Sequence, residues 1–140
     1  MTAIAERLIE HGRKLFHAPI KPVQFTNDPA ADVLINDLHA HPHAFVLACI
    51  MDRQGKAEIA WRIPYRFSQK LGGFSIEILS QLSLADVTRL MSDPEPLHRF
   101  VEIMSGCFHS GVRRIKRVLL KSQNKIDCFE ENNFRIKQNQ

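Results

Sequence analysis

The residues best suited to binding chemistry form a basic cluster between positions 111 and 121. This short segment carries five cations and no carboxylate, whereas acidic and basic residues nearly balance elsewhere, so it accounts for the formal net charge of +4. Cations at this density can neutralise nucleic-acid phosphates. The segment can equally be a solvated helix end, where cations are favoured by the helix dipole. The cluster consists of Arg113, Arg114, Lys116, Arg117 and Lys121.

A second polar group, Asp52, Arg53 and Gln54, follows directly after the apolar run at positions 44–51. If that run is a buried helix, the core would hold the three side chains rigidly where the helix emerges. Arginine and glutamine both suit contacts to nucleic acid. The alternative is an ordinary polar helix end.

Three histidines, His39, His41 and His43, lie two residues apart. On a helix such positions do not share a face. An extended segment could bring them together, but no nearby cysteine or carboxylate completes a tetrahedral set of metal ligands. We therefore expect them to end and cap helices, and we expect no metal site.

The number and spacing of the cysteines also indicate neither a metal site nor disulfide bonds. Cys49, Cys107 and Cys128 are odd in number, lie far apart and form no C-x-x-C pair. This spacing argues against a disulfide framework, a zinc site or an iron–sulfur cluster. We expect Cys49 and Cys107, which lie among apolar residues, to be structural.

Sequence motifs of known enzyme classes are missing from the chain. It contains no G-x-S-x-G, G-x-G-x-x-G or Walker pattern. Gly72-Gly73 lacks the flanking residues of a phosphate-binding loop and predicts a turn. An active enzyme of another class therefore has no motif in its favour.

Helical periodicity dominates the sequence and predicts an all-α, multi-helix orthogonal bundle. Asn27 or Asp28 can cap a second helix, Ser83 with Asp86 resembles a capping box, and Pro64 should kink or restart the helix that contains it. The predicted helices cover residues 4–17, 29–38, 42–52, 56–71, 75–79, 84–91 and 96–121. The central one, Pro42–Asp52, should be buried on all sides.

Apolar spacing predicts which helix faces turn inward. The predicted inner faces are Ile4, Leu8, His11 and Leu15; Val33, Leu34 and Leu38; and Leu97, Val101, Met104, Phe108, Ile115 and Leu119. Beyond Ser122 the pattern fails, and we expect a frayed polar tail. The sequence predicts three parts of the chain, namely an N-terminal helix and loop at residues 1–27, a helical domain at 28–121 and a divergent polar tail at 122–140.

The overall composition suits one domain with a core, since the chain has 140 residues of which 44% are hydrophobic. No apolar run approaches the roughly 18 residues that cross a bilayer. The N-terminus carries Glu6 and Arg7 and lacks the apolar stretch of a signal peptide. A cytoplasmic protein that makes no membrane contact is expected.

The stretches at residues 41–54 and 57–64 resemble the start of the helix-hairpin-helix DNA glycosylase domain (HhH-GPD), of which endonuclease III is a distant member. In that family a buried apolar helix ends in a glutamine whose loop enters the duplex beside the flipped base, and Gln54 matches that position. The following order of a Gly turn, short helices and a long helix is also similar. The resemblance covers residues 28–121.

The family's hairpin, its catalytic lysine and aspartate, and its four-cysteine loop should follow the long helix, and the residues after 121 resemble none of them. The resemblance thus implies a truncated, endonuclease III-like base-excision-repair protein with no catalytic residue, no cofactor and weak duplex-DNA binding at most. The expected DNA contacts are Arg53, Gln54, Arg113, Arg114, Lys116 and Arg117. The alternative is a helical interaction module that uses an uncovered apolar face to self-associate or bind a partner.

Overall fold

A computed structural model describes the backbone of residues 2–138 and the side chains of residues 2–125. Seven helices are described, and no strand occurs among the described residues, which confirms the all-α prediction. Residues 139 and 140 of the predicted tail, and the side chain of Cys128, lie outside this description. The helices are α1 (Ala3–His17), α2 (Pro29–Asn36), α3 (Pro42–Met51), α4 (Ala57–Leu71), α5 (Ile76–Gln81), α6 (Leu84–Ser92) and α7 (Val101–Gln138).

Local capping chemistry sets several of these boundaries. Asp28 caps α2 by accepting hydrogen bonds from the N–H groups of Ala30 and Ala31. Ser83 Oγ accepts from the Asp86 N–H, and the Asp86 carboxylate accepts from the Ser83 N–H, so the predicted capping box is confirmed. The pKa of the Asp86 carboxyl is lowered, mainly because Ser83 Oγ also donates a hydrogen bond to Asp86 Oδ2 at 2.8 Å, and further because the Ser83 N–H donates to the same oxygen.

The predicted turn at Gly72-Gly73 ends α4. Gly72 adopts a left-handed conformation with φ of 80°, which glycine reaches without a steric penalty. The helix does not restart at Pro64, because α4 continues through it from Ala57 to Leu71. Pro64 and its neighbour Ile63 are buried, and packing against the core offsets the hydrogen bond that proline cannot donate.

The core is centred on α3, which packs against α2, α4 and α7. Its Leu47 and Met51 side chains are fully buried, which confirms the central position of this helix. Below it, the rings of Phe67 in α4 and Phe108 in α7 stack with their centroids 4.5 Å apart.

A glycine allows α7 to approach α3 closely. A Cβ atom at Gly111 would lie 2.6 Å from Ile50 Cδ1 and 3.4 Å from Leu47 Cδ2. The absence of a side chain there lets the two helices meet with few voids.

The prediction that α3 is buried on every side is wrong in part. Val46 and Cys49 are exposed, while Phe45 and Ile50 are half-buried. Val46 and Cys49 are three residues apart and share one side of the helix. The neighbouring helices therefore enclose most of α3 and leave one stripe in solvent.

The buried face of α2 also differs from the prediction. Ala31 and Ile35 are buried, whereas Val33 and Leu38 are exposed and only Leu34 of the predicted set packs partly against the core. Because the Asp28 cap starts the helix at Pro29, Ala31 and Ile35 are stacked on one face, and Val33 falls on another.

Helix α7 starts later and ends later than predicted. Its first residue is Val101 rather than Pro96, and it continues to Gln138 rather than stopping at Lys121. Residues 112–138 contain no glycine or proline, so no helix breaker interrupts it. Its inner face includes Val112, whereas the predicted Leu119 is exposed.

The division of the chain into the parts 1–27, 28–121 and 122–140 stays a prediction.

Helix α1 forms as predicted, but it contains no buried residue. The amphipathic face that carries Ile4, Leu8 and Leu15 is exposed to solvent. The connecting segment after it is attached to α2, where Asn36 Oδ1 accepts from the Val23 N–H at 2.8 Å and Asn36 Nδ2 donates to the Val23 carbonyl at 2.8 Å.

An aromatic cluster fixes the end of that segment. The Phe25 ring stacks on Trp61 of α4 with a centroid separation of 4.6 Å, and Phe45 of α3 meets both rings edge-on.

Across the described residues, none of the helices combines the length and apolar character needed to cross a bilayer.

Candidate nucleic-acid interface

Three of the predicted basic residues converge on one small pocket, here called the α7 pocket. Arg113, Lys116 and Arg117 follow the i, i+3, i+4 spacing that places side chains on one helix face. Together with Ser80 of α5 and Leu120 of α7 they line a pocket of about 290 Å³. The pocket therefore presents three cationic side chains to one point on the surface.

The contact between α5 and α7 holds one of these cations in place. Lys116 is half-buried, and its Nζ donates a hydrogen bond to Ser80 Oγ at 2.9 Å. Ser80 Oγ in turn donates to the Glu77 carbonyl at 2.8 Å, which orients the hydroxyl. Lys116 is thereby restrained before any ligand arrives, so less side-chain entropy is lost on binding.

The other two cations of the α7 pocket are free to meet an anion. Arg113 and Arg117 are exposed, and the ion pairs among the described side chains involve other residues. The guanidinium groups present fixed donor forks that match phosphate oxygens. Three positive charges at one pocket, none of them in an ion pair with a described side chain, favour a phosphate group or another small anion.

Arg114 stands apart from this group. It follows Arg113 by one residue, which turns its side chain about 100° around the helix, and it is exposed without lining the pocket. The structure thus brings together three of the four predicted α7 contacts. Arg114 serves as an internal control, since it has the same charge on the same helix.

The second predicted contact group lies in the loop between α3 and α4. Arg53 and Gln54 are both exposed there, and neither lines the α7 pocket. Asp52, at the start of the loop, accepts a hydrogen bond from Trp61 Nε1 at 3.0 Å. This bond ties the loop to α4, so the polar groups that follow leave the core from a defined position.

Gln54 carries an unusual backbone conformation. Its φ is 50°, in the left-handed region that glycine usually fills, although Gly55 is the next residue. For a residue other than glycine this conformation costs on the order of 1 kcal/mol. Backbone strain of this kind is concentrated at functional sites, which makes the Gln54 loop a candidate for contact with a ligand.

The three histidines have separate environments, so they do not form a common site. His41 Nδ1 lies 2.9 Å from Asp37 Oδ2, a carboxylate four residues earlier that the sequence analysis did not pair with it. His43 is buried and hydrogen-bonds through Nε2 to the Phe74 carbonyl, while His39 is exposed. Burial lowers the pKa of His43, and this outweighs the hydrogen bond to Phe74, which raises it.

Cys49 and Cys107 are only partly in the environment predicted for them. Cys49 is exposed, because it lies on the uncovered stripe of α3, and Cys107 is half-buried against the core. Desolvation is the main reason that the pKa of the Cys49 thiol is raised. Within the described part of the chain, no three His, Cys, Asp or Glu side chains form a group suited to a metal ion.

Ser80 is the α7-pocket residue that the sequence analysis missed. It lies 36 positions before Lys116, and no local pattern links the two. A serine within a short helix of mixed composition gives no sign of its contacts, so only the packing of α5 on α7 could show it.

Comparison with known proteins adds no further assignment to this site. No protein-family model, no curated protein and no solved structure matches the chain.

Proposed function

We propose that this protein binds the phosphate backbone of duplex DNA through the α7 pocket, without itself catalysing base release. The observation that carries the proposal is the convergence of Arg113, Lys116 and Arg117 on one pocket next to Ser80. Up to three phosphate contacts correspond to weak non-specific binding, with a dissociation constant of roughly 10⁻⁴ to 10⁻⁶ M.

The likeness of residues 28–121 to an HhH-GPD domain supports DNA, rather than another polyanion, as the ligand. That likeness remains part of the proposal, as does a cytoplasmic location. In this view Arg53 and the strained Gln54 loop form a secondary contact region, which adds little to affinity because neither residue lines the α7 pocket. Phosphate contacts fix position and carry no sequence information, so the binding should be insensitive to base sequence.

A matched pair of substitutions tests the assignment. Arg117→Ala removes a cation from the pocket and should weaken duplex binding roughly tenfold at 50 mM salt, by the loss of one phosphate contact. Arg114→Ala removes the same charge outside the pocket and should change affinity less than about twofold. Fluorescence anisotropy with a labelled duplex measures both, and equal losses in the two variants would show that the pocket has no special role.

Self-association is the second candidate function, because the apolar face of α1 is exposed. Ile4, Leu8, His11 and Leu15 follow the alternating four- and three-residue spacing of a coiled-coil seam. A second copy of the chain offers an identical seam, so an α1–α1 contact is the partner that this spacing favours. With only about two heptads available, the pairing should be weak and dependent on concentration.

For this candidate we expect Leu8→Asp to abolish concentration-dependent dimerisation without loss of folded structure, since a charge is placed in the seam. Analytical ultracentrifugation across a concentration series measures the change. Glu6→Asp provides a control on the polar face of the same helix and should dimerise like the wild type. A wild-type protein that stays monomeric at millimolar concentration would rule out this role of α1.

A further inference from the structure

A second pocket lies at the start of α4, here called the α4 pocket, and it is separate from the α7 pocket. Its volume is about 490 Å³, within the roughly 300–1,000 Å³ range of small-molecule sites. It lies between the loop that precedes α4 and the segment that precedes α7. It is lined by Gly55, Lys56, Ile59, Ala60, Pro96, Leu97, His98 and Arg99.

The polar groups of the α4 pocket all favour an anion. Lys56 and Arg99 contribute two cations, and none of its lining residues is acidic. The ion pairs among the described side chains do not involve either residue. Glu58, in the same turn of α4, does not line the pocket and accepts a hydrogen bond from Asn27.

His98 provides an independent indication of a ligand. It is only 8% exposed, and its Nδ1 accepts a hydrogen bond from the Phe100 N–H at 3.0 Å. A neutral imidazole that accepts at Nδ1 carries its proton on Nε2, which is then a donor. The hydrogen bonds among the described residues leave Nε2 without a partner, so this mostly buried residue brings an unused donor to the lining of the pocket.

The helix that begins at the pocket adds to this positive potential. Lys56 occupies the N-cap position of the 15-residue α4, and no side chain caps the first turn. Uncapped N–H groups and the helix dipole both favour an anion at that end.

The remaining lining of the α4 pocket is apolar. Ile59, Ala60, Pro96 and Leu97 form this part; Ala60 and Leu97 are buried, so the accessible apolar surface comes from the exposed Ile59 and Pro96. An inorganic anion alone would leave this surface uncovered. A ligand that combines an anionic group with a flat apolar body would use both parts of the lining.

We infer that the α4 pocket binds a mononucleotide-sized phosphate monoester. The phosphate lies near Lys56, Arg99 and the Nε2–H of His98, and the heterocyclic ring rests on the exposed Ile59 and Pro96. This inference does not depend on DNA binding by the α7 pocket, because the two pockets share no lining residue.

Adenosine 5′-monophosphate is a suitable probe, titrated into ¹⁵N-labelled full-length protein and followed by amide chemical shifts. We expect saturable binding of one equivalent, with the shifts centred on residues 55–60 and 97–99. Adenosine and inorganic phosphate, titrated separately, should each bind at least tenfold more weakly. Equal binding of adenosine would overturn the phosphate assignment, and equal binding of phosphate would overturn the role of the apolar surface.

Substitutions then locate the site. Lys56→Ala/Arg99→Ala should weaken the binding of adenosine 5′-monophosphate at least tenfold, whereas Arg114→Ala, which removes an exposed cation that lines neither pocket, should leave it unchanged. The amide spectrum of each variant verifies its fold. Three results would each overturn the inference: unchanged affinity in the double variant, chemical shifts centred on residues 113–117, or no saturable binding by the wild type. None of these results bears on the binding of duplex DNA by Arg117.

Discussion

Replacing Phe108 by alanine is expected to lower the free energy of unfolding by about 3–5 kcal/mol, the range typical of a buried phenylalanine. Phe108 is 0% exposed and stacks on Phe67, which is equally buried, where α7 crosses the centre of the bundle. Truncation removes this aromatic contact and leaves a cavity that close-packed neighbours cannot fill. Because domains of this size are stable by only about 5–15 kcal/mol, the variant should lose a large fraction of its stability.

Urea denaturation followed by circular dichroism measures this loss. Phe16→Ala is the matched control, because Phe16 is 85% exposed on α1 and its truncation should change stability by less than about 0.5 kcal/mol. If Phe108→Ala cost no more than Phe16→Ala, the stacked pair could not lie in a packed core.

The starts and ends of several helices could be predicted because they depend on nearby residues. The Asp28 cap, the Ser83–Asp86 capping box and the left-handed Gly72 each act within a few positions of the chain. A sequence pattern contains all the information that such contacts require. The polar composition after Ser122 predicts a frayed tail, but residues 112–138 contain no glycine or proline, and α7 continues to Gln138.

Which residues are buried could be predicted less well. The exposure of Val33 in α2 and of Cys49 in α3 depends on which neighbours cover each face, and apolar character alone does not specify those neighbours. The same limit applied to α1, whose predicted inner face contains no buried residue. Burial is a property of tertiary packing, and periodicity indicates only that a helix has an apolar side.

Only part of the candidate site could be predicted, because its geometry also depends on tertiary packing. The sequence identified the cations of α7, but Arg114 lies one residue after Arg113 and two before Lys116, so the helix turns it onto a different face. Arg113, Lys116 and Arg117 share a face by their i, i+3, i+4 spacing, but the pocket they line also needs Ser80, which reaches Lys116 across a long sequence separation. The residues of the α4 pocket come from two distant segments and left no sequence signal.

The second large effect is expected from removal of all three α7-pocket cations. Arg113→Ala/Lys116→Ala/Arg117→Ala should eliminate nearly all measurable duplex binding, because three phosphate contacts are lost together. These side chains are at least partly solvent-exposed, so the fold should tolerate the change, and circular dichroism verifies it. Arg53→Ala/Arg114→Ala removes two predicted cations outside the pocket and should retain most of the affinity.

The salt dependence of duplex binding tests the role of the α7 pocket most directly. Each neutralised phosphate contributes about −0.9 to the slope of log affinity against log salt concentration, so the wild type should give a slope of about −2 to −3. Three phosphate contacts give a slope of about −2.7, which between 50 and 200 mM salt corresponds to a loss of affinity of roughly 40-fold. The triple variant should give a slope near zero. A wild-type slope near zero, or the same slope in both proteins, would contradict phosphate binding by Arg113, Lys116 and Arg117.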